Sequence, residues 1–496
     1  MAKTIPLIDL VFFLLEGKSS PMHVAALMLF KLPDDAGARY VAELAGAYRK
    51  GTPVPPFNWV PDFPALGRPR WVEAGAMDMK YHVRHTALPA GATWADLSEL
   101  VGELHSQLLD RSRPCFRTYF IEGLSDRQFA VFFKVHHAMV DGASAIARVS
   151  ASLDESPDVR TIRPIHTIGF DDPEPSAGKA RSQALAALKS VVAKQAIALT
   201  DLSGRLLRKG IGLGVPGAGS APFTAPRTPM NAPLRAGRTI ATLSLPLAEM
   251  KAAAKAFGGT INDVAVTIVD AALHRYLDDL GATPVDSLVA LCPLSLREAG
   301  DKEATTKAST MFVPLAKRTA TISTRMEEIM RANASAKAEI LAMNKDAAIL
   351  YSLVAFGLSD LAVVTGADAV TRPVANLILS NVPGPRTDLH LGGARLQAIY
   401  PISAMGARVG LNVTLISYAG SMNFGFVGNA TALPDLDRLA IHTQDAFAAL
   451  CRAAARRRVP IAPEAAPTAE RAALGKKKPT PSDKRAPKPR RKGSRA

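Results

Sequence analysis

The sequence lacks most of the features that mark a secreted or nucleotide-binding protein. It has only three cysteines in 496 residues, Cys115, Cys292 and Cys451, and none belongs to a Cys-x-x-Cys pair. This usage argues against a disulfide framework and suits a reducing compartment. No Walker-type Gly-x-x-x-x-Gly-Lys-Ser/Thr loop and no repeat of fixed period is present. We therefore look for function in polar residues set among apolar segments.

Long apolar runs are also scarce. Residues 5–15 are apolar but contain Asp9, and no small-residue cleavage site of a signal peptide follows them. The apolar run at 347–364 contains Gly357 and Asp360 and is short for a membrane span. We expect no transmembrane helix and a cytoplasmic protein.

Positive charge is unevenly distributed. The formal net charge is +16, but residues 471–496 hold eleven Lys or Arg and a single acid, Asp483, so most of the excess lies in this tail. A basic tail can bind an anionic membrane surface, keep the chain soluble or bind nucleic acid non-specifically. We expect no specific nucleic-acid partner.

The length and the composition predict two folded domains, because 496 residues exceed what one core normally supports. Residues 1–150 are expected to form an N-terminal α/β domain. Residues 151–236 form a connector with a basic helix at 178–209, and residues 237–459 a second α/β domain. Residues 460–496, rich in Pro, Ala and Lys/Arg, are expected to be disordered.

Hydrophobic periodicity predicts the elements within the two domains. Helices are expected over residues 7–16, 97–108, 247–257, 260–280 and 436–458. Strands are expected over 25–32, 119–121, 129–133, 239–245, 287–292 and 374–379, with a hairpin over 411–427. Thr93 and Asp96 are spaced as a capping box. Residues 51–76 have no period, and we expect a loop there.

Two histidines follow a strand-like run and precede a turn. His136 and His137 are succeeded by Asp141-Gly142 and then by small residues typical of a helix start. Neighbouring side chains of a strand point to opposite faces, so these histidines are not expected to bind one metal ion. They are either core histidines that bond to the backbone, or a general base for a hydroxyl with Asp141 organising the turn.

A covalent nucleophile is the competing chemistry. No Gly-x-Ser-x-Gly elbow precedes a helix. Ser144 suits a helix start better than a nucleophile, and Cys115 lies far from the histidines in sequence. Direct transfer to a bound acceptor is therefore the favoured interpretation.

Two further sites have both a structural and a functional interpretation. Asn262 and Asp263 follow a Gly-Gly turn at a helix start, where both residue types act as caps. Arg297 follows an apolar strand and is either solvated or the partner of a buried carboxylate such as Asp141. The segment 381–385 is first of all a turn fixed by Pro and Gly.

An ordered set of motifs, covering about 1–150 and 222–455, resembles a known family. The motifs are Pro21-Met22-His23-Val24, Tyr81-His82-Val83-Arg84-His85, Leu109-Asp110-Arg111-Ser112-Arg113-Pro114, His136-His137-Ala138-Met139-Val140-Asp141-Gly142, Ala225-Pro226-Arg227-Thr228, Gly259-Thr260-Ile261-Asn262-Asp263-Val264, Pro293-Leu294-Ser295-Leu296-Arg297 and Ser380-Asn381-Val382-Pro383-Gly384-Pro385. Together they resemble the bacterial wax ester synthase/diacylglycerol acyltransferase family. The histidine motif alone is less specific, because condensation domains and other CoA acyltransferases share it.

The resemblance implies a chloramphenicol-acetyltransferase-like fold with two α/β domains and an active site in the channel between them. His137 matches the catalytic base of the family, and His136 its less critical neighbour. Asp141 and Gly142 match the structural part of the motif.

The resemblance also extends to the second domain. Asn262 and Asp263 match a pair associated with activity in the family. In related folds the motif aspartate pairs with an arginine, and Arg297 is the candidate here.

The resemblance implies an acyl-CoA-dependent O-acyltransferase that acts on diacylglycerol or a long-chain alcohol. Acyl-CoA is then a co-substrate, and no cofactor is expected. Lipid acceptors imply peripheral association with the inner face of the plasma membrane or with lipid inclusions. The basic helix at 178–209 and the tail are candidates for that contact, although interdomain packing is an alternative for the helix.

Two departures from the family pattern leave other functions open. Pro114 is followed by Cys115-Phe116-Arg117 where the family commonly has Leu-Trp-Glu. Residues 308–311, Ala-Ser-Thr-Met, replace a usual Gly-Asn pair ahead of Pro314-Leu315. Either change is expected to affect the acyl or acceptor channel. An acyltransferase for a non-lipid hydroxyl and a non-catalytic lipid-binding protein are the alternatives.

Overall fold

The computed structural model describes residues 3–169, 222–295, 308–343 and 345–457. The predicted basic helix at 178–209, Arg297 and the basic tail lie outside the described residues. Within them the strands are, in chain order, β1 (Lys3–Thr4), β2 (His23–Lys31), β3 (Trp59–Asp62), β4 (Arg70–Glu73), β5 (Val83–Ala92), β6 (Phe116–Leu124), β7 (Gln128–His136), β8 (Arg238–Pro246), β9 (Val289–Ser295), β10 (Ala308–Pro314), β11 (Leu377–Val382), β12 (His390–Leu391), β13 (Ala394–Ile402), β14 (Leu411–Tyr418) and β15 (Ser421–Asn429).

The helices of the same residues are α1 (Leu7–Leu15), α2 (Tyr40–Lys50), α3 (Met79–His82), α4 (Trp94–Ser106), α5 (Gly142–Ala151), α6 (Leu247–Phe257), α7 (Ile261–Asp279), α8 (Ile322–Leu341), α9 (Lys345–Thr365) and α10 (Leu436–Arg457). Short 3₁₀ turns occur at Ile165–Thr167, Pro229–Asn231 and Ala367–Ala369.

The first sheet has six strands in the order β12-β13-β2-β7-β6-β5. All neighbours are antiparallel except β5 and β6, which are parallel. The central strand β7 is buried along nearly its whole length, which matches its apolar run from Phe129 to Phe133. Strands β12 and β13 come from the C-terminal half of the chain, so the sheet is not built from residues 1–150 alone.

The second sheet also has six strands, in the order β10-β9-β11-β14-β15-β8. Strand β11 runs parallel to both β9 and β14. Helices α6, α7 and α10 pack together beside it. Gly258, with φ +73°, ends α6, and a capping box between Thr260 and Asp263 begins α7.

A small third sheet, in the order β1-β4-β3, overturns the predicted loop at 51–76. Strands β3 and β4 pair antiparallel, and Arg70 Nε donates to Asp62 Oδ2 at 2.7 Å. Each strand is only a few residues long, and β4 pairs with β1 from the chain start. Strands this short do not repeat long enough to show a period of two.

The other predicted elements are confirmed, with ends that shift by a few residues. The largest shifts are of three residues, and they occur at α4, β6, β7, β9 and β11. The capping box of α4 is present, since Thr93 accepts from the Asp96 N–H and Asp96 accepts from the Thr93 N–H. Helices α2, α3, α8 and α9 and strands β1, β5, β10, β12 and β13 were not predicted.

No single helix of the described ranges is both long and apolar enough to cross a membrane. Helices α6 and α7 pass such a test only when joined, and they bend by 97° at Gly258-Gly259.

The two large sheets meet where β7 ends. Ile416 and Tyr418 of β14 belong to the same buried cluster as Val140, and Val382 packs against that cluster. The Tyr418 hydroxyl donates to the Leu396 carbonyl oxygen at 2.9 Å, across the boundary between the sheets. The residues that follow β7 therefore lie beside the ends of β11 and β14.

Candidate active site

The two histidines sit at the exit of β7, held by main-chain bonds to both neighbours in the sheet. The His136 N–H donates to the Cys115 carbonyl oxygen at 2.9 Å, and the His137 N–H donates to the Met22 carbonyl oxygen at 2.9 Å. Cys115 directly precedes β6, and Met22 directly precedes β2. The backbone at the histidines is therefore fixed from both sides.

Asp141 is the N-cap residue of α5. Its Oδ1 accepts from the Ser144 N–H at 2.7 Å, and Gly142 is the first helical residue. A Cβ added at Gly142 would stand 3.5 Å from Val382, so the turn lies against the end of β11. The predicted turn and helix start are confirmed.

The His137 ring is half-buried and stacks on Phe12, with ring centroids 4.0 Å apart and an interplanar angle of 15°. Its Nδ1 atom is buried and has no hydrogen-bond partner from another residue in the described chain. Burial lowers the pKa of His137, partly offset by a polar contact with its own main chain and by the Asp141 charge. The ring is therefore neutral near pH 7. Because Nδ1 is the buried nitrogen, Nε2 is the ring nitrogen that we consider as the base.

The His136 ring makes different contacts. Its Nδ1 accepts from the Ala138 N–H at 3.1 Å, and its ring stacks on Phe13 at 4.2 Å. Its Nε2 lies 3.5 Å from Glu16 Oε1. The interpretation as a core histidine bonded to the backbone therefore describes His136, while His137 is the half-buried one.

Sequence reasoning missed the carboxylate beside His136. The Glu16 side chain is only 3% exposed. Its Oε1 accepts from the Met22 N–H at 3.1 Å, and its Oε2 accepts from Arg111 Nε at 2.9 Å. Burial alone would raise the pKa of Glu16, but the nearby His136 ring and the hydrogen bonds from Met22 and Arg111 outweigh it and lower the pKa to about 2. The available signals were a glutamate ending an apolar helix and Arg111 inside a family motif.

Asp263 has structural partners for both carboxylate oxygens. Oδ2 accepts from the Thr260 N–H at 2.8 Å, and Oδ1 accepts from Asn333 Nδ2 at 2.7 Å. Asn262 is half-buried in the first turn of α7. The functional roles of both residues stay predictions. The same holds for the pairing of Arg297 with Asp141, since Arg297 is outside the described residues.

Two further motif histidines are core residues. His23 Nε2 contacts the His105 carbonyl oxygen at 2.6 Å, and His82 Nδ1 contacts the Phe116 carbonyl oxygen at 3.0 Å. Both rings are buried. In these two motifs the histidine side chains therefore contact main-chain carbonyl oxygens in the core.

Gly384 occupies a position that no larger residue could fill. Its N–H donates to Ser417 Oγ at 3.2 Å, and an added Cβ would overlap the Ser417 carbonyl oxygen. The turn after β11 therefore lies directly on β14.

The alternative nucleophiles are poorly suited to attack. Burial raises the pKa of Cys115 to about 12, so its thiol stays protonated at neutral pH. Ser144 lies in the first turn of α5, with its N–H capped by Asp141.

Both departures from the family pattern lie in the cores. Phe116 is fully buried and stacks on His82 at 4.5 Å. Ser309 Oγ donates to the Ala348 carbonyl oxygen at 2.7 Å, and the Thr310 N–H donates to Ser352 Oγ at 2.9 Å. These last bonds connect β10 to α9.

Over the ranges that the structure describes, no group of three or more His, Cys, Asp or Glu side chains is arranged to hold a metal ion.

Comparison with known proteins identifies the class to which this fold and site belong. Residues 6–265 match the wax ester synthase/diacylglycerol acyltransferase catalytic domain, and residues 306–451 match the C-terminal domain of the same family. The chain therefore belongs to the wax ester synthase/diacylglycerol acyltransferase family, as its motifs predicted.

Individual relatives of this chain have names that agree with the family. The O-acyltransferase WSD of Acinetobacter baylyi is 32% identical over 444 residues, 88% of this chain and 94% of that protein. A putative diacylglycerol O-acyltransferase of Mycobacterium tuberculosis is 35% identical over 455 residues, 90% of this chain and 98% of that protein.

Solved structures confirm the two-domain α/β fold. The wax ester synthase/diacylglycerol acyltransferase of Marinobacter aquaeolei VT8 superposes with a TM-score of 0.71 at 32% identity, covering 91% of this chain and 100% of that one. The first condensation domain of the calcium-dependent antibiotic synthetase, at 18% identity and a TM-score of 0.56 over 92% of this chain and 97% of its own, shares the fold alone.

Proposed function

We propose that this enzyme transfers a fatty acyl group from acyl-CoA to the hydroxyl of diacylglycerol or of a long-chain alcohol, with His137 as the general base. The observation that carries this proposal is the environment of His137. Its ring is held at a strand exit between the two sheets, is kept neutral by burial, and has a buried Nδ1. Family membership supplies the reaction class.

In the proposed reaction, His137 Nε2 takes the proton of the acceptor hydroxyl while its oxygen attacks the thioester carbonyl carbon. A neutral imidazole suits this step, because its unprotonated nitrogen can accept the hydroxyl proton at neutral pH. The tetrahedral intermediate then collapses by breaking the C–S bond. The imidazolium returns the proton to the departing sulfur, so the products are an ester and free CoA thiol.

The negative oxygen of the tetrahedral intermediate needs a hydrogen-bond donor. Asn262 is the proposed donor, because it sits in the first turn of α7, where the helix dipole also favours negative charge. An Asn262→Ala variant should lower kcat more than it changes KM if this assignment holds.

The base assignment is tested by ester formation from radiolabelled palmitoyl-CoA with diacylglycerol, with a long-chain alcohol and with a panel of non-lipid hydroxyl compounds. Wild-type protein should give triacylglycerol or wax ester, and His137→Ala should reduce the rate by a factor of about 10² to 10⁴, the usual contribution of a general base. Unchanged ester formation by His137→Ala would contradict the role of His137. Acylation of only the non-lipid compounds would contradict the lipid acceptor, and no CoA release with any acceptor would favour a lipid-binding protein.

We also propose that the protein associates peripherally with an anionic membrane or lipid inclusion, since both substrates carry long hydrocarbon chains. The basic composition of residues 178–209 and 471–496 supports this. Deletion of residues 460–496 should reduce co-sedimentation with anionic vesicles at low salt. Unchanged binding would rule the tail out.

A further inference from the structure

A buried network connects the N-terminal helix to the two histidines. Phe12 and Phe13 are consecutive residues of α1, and they stack on His137 and His136 respectively, with interplanar angles of 15° and 12°. Helix α1 thus covers both rings at once. Glu16 follows directly as its C-cap residue.

The hydrogen bonds of His136 determine which of its nitrogens carries hydrogen. Nδ1 accepts from the Ala138 N–H, so a neutral ring must hold its hydrogen on Nε2. That atom faces Glu16 Oε1 at 3.5 Å, and it has no hydrogen bond to another group of the described chain. Catalytic hydrogen bonds are often this long in unliganded sites and tighten only in the complex with substrate. Glu16 is therefore the acceptor for which the His136 ring is oriented.

Arg111 holds the carboxylate in place. Its Nε donates to Glu16 Oε2 at 2.9 Å, its Nη2 lies 2.8 Å from the same oxygen, and Nη2 donates to the Phe13 carbonyl oxygen at 2.8 Å. Its guanidinium lies 5.1 Å from the Phe13 ring centroid. This charge-assisted hydrogen bond and ion pair hold the buried carboxylate in one orientation.

The network reaches His137 through the main chain. Glu16 Oε1 accepts from the Met22 N–H, and the Met22 carbonyl oxygen accepts from the His137 N–H. The bond from Ala138 to His136 fixes the peptide on the other side of His137. We propose that Glu16, paired with Arg111, is a positioning residue that orients His137 through His136 and through the main chain of Met22. This inference rests on the proposed role of His137 as the base.

Other titratable groups lie within electrostatic reach of Glu16. The Cys115 thiol stays protonated, since burial raises its pKa to about 12. Burial lowers the pKa of Lys134, which is also on β7, to about 7, and its Nζ donates to the Leu104 and Gln107 carbonyl oxygens at the end of α4. Removing the Glu16 charge therefore leaves Arg111 as the uncompensated charge nearest the histidines.

The test compares Glu16→Gln, Arg111→Met and the double variant with wild type, using palmitoyl-CoA and the acceptor that wild type uses best. Glu16→Gln should lower kcat by roughly 10- to 100-fold, the range known for groups that orient the histidine ligands of metal sites, with a smaller change in KM. The uncompensated Arg111 charge disfavours a second positive charge, so the acid limb of kcat/KM should move to lower pH. In the double variant the pH at which kcat/KM falls should return towards the wild-type value, while kcat stays low.

A matched control is available in the same sheet. Glu122 Oε1 lies 3.1 Å from His85 Nε2, a Glu–His contact of the same kind on β5 and β6. Glu122→Gln should leave kcat and the pH profile unchanged. Histidine-selective NMR then reports the tautomer of His136 directly, and Glu16→Gln should alter its ring nitrogen shifts.

Two results separate this inference from the base assignment. If His137→Ala is inactive while folded Glu16→Gln keeps the wild-type kcat and pH profile, the positioning role is wrong and the base stands. If Glu16→Gln does not fold, Glu16→Asp takes its place, since it keeps the charge but shortens the reach to His136. A wild-type kcat and unchanged His136 shifts in that variant would also overturn the role.

Discussion

His137 combines a neutral ring with a neighbouring negative charge, and with His137 as the proposed base this combination predicts the pH dependence of the reaction. Burial holds its pKa below the ordinary value of 6.5, and the Asp141 charge acts in the opposite direction. A base of lowered pKa is already deprotonated at pH 7 and becomes protonated only in more acid solution.

We therefore expect kcat/KM to be level near pH 7 and to fall with an apparent pKa below 6.5. Asp141→Asn should lower this apparent pKa further, because a negative charge that favours the imidazolium is lost. The asparagine can still cap α5. Initial rates between pH 5 and pH 8 give this apparent pKa. An apparent pKa above 6.5 in wild type, or a higher one in Asp141→Asn, would contradict the assignment of His137 as the base.

At this scale the sequence indicated His137, Asp141 and Gly142, because polar residues interrupt an apolar strand and a turn follows. It did not indicate Glu16 or Phe12. Their contacts with the histidines join segments that are distant in the chain, and no local period or spacing records such a contact. Arg111 was visible only as part of a motif without an assigned partner.

Among the secondary-structure elements, α4 and α7 begin with the same Thr-x-x-Asp capping box. The two aspartates differ in burial, because Asp263 is 6% exposed and also accepts from Asn333. Asp96 lies at the surface. Comparison of variants at Asp96 and Asp263 therefore distinguishes the capping role of Asp263 from its proposed role in activity.

Asp263→Ala should reduce the free energy of unfolding by about 2–4 kcal/mol, the sum of a lost cap and of buried donors left unpaired. Asp96→Ala should reduce the free energy of unfolding less, since water can replace the hydrogen bonds that Asp96 makes at the surface. Denaturant unfolding of both variants gives the stability, and kcat per folded molecule gives the activity. An Asp263→Ala protein with wild-type kcat would show that the cap is its whole contribution.

Elements with a long clear period were predicted to within a few residues, as for β7, α7 and α10. The failures have physical causes. Strands β3 and β4 are too short to show alternation, and Pro and Trp dominate their segment. The pairing of β13 with β2 depends on chain segments that are far apart, so the composition of either strand alone cannot reveal it.

Several histidines of the described residues have a pKa below the ordinary value of 6.5. Burial lowers the pKa of each of the following side chains: His23, His82, His105, His136, His137 and His166. For His105 it falls to about 3 and for His166 to about 4. The unfolded chain then binds more protons than the folded one below pH 6.5, so stability must fall as the pH falls.

We expect the free energy of unfolding to decrease between pH 6.5 and pH 4, with each such histidine contributing roughly 1.4 kcal/mol per pH unit at most. Denaturant unfolding at a series of pH values measures the slope. His166→Phe should reduce the slope of unfolding free energy against pH by at most about 1.4 kcal/mol per pH unit. This is the contribution of one proton, because one histidine that binds a proton in the unfolded chain is removed. Constant stability down to pH 4 would contradict the account.

Strand β2 lies between β7 and β13, and this placement has a consequence for synthesis on the ribosome. Until residue 402 has been made, β2 is an unpaired edge of the first sheet, and its backbone can pair with the edge of another nascent chain. A fragment that stops at residue 265 would keep that open edge permanently. The N-terminal half therefore needs the late-made β13 to close its sheet, and the protein is expected to mature as one cooperative unit despite having two sheets.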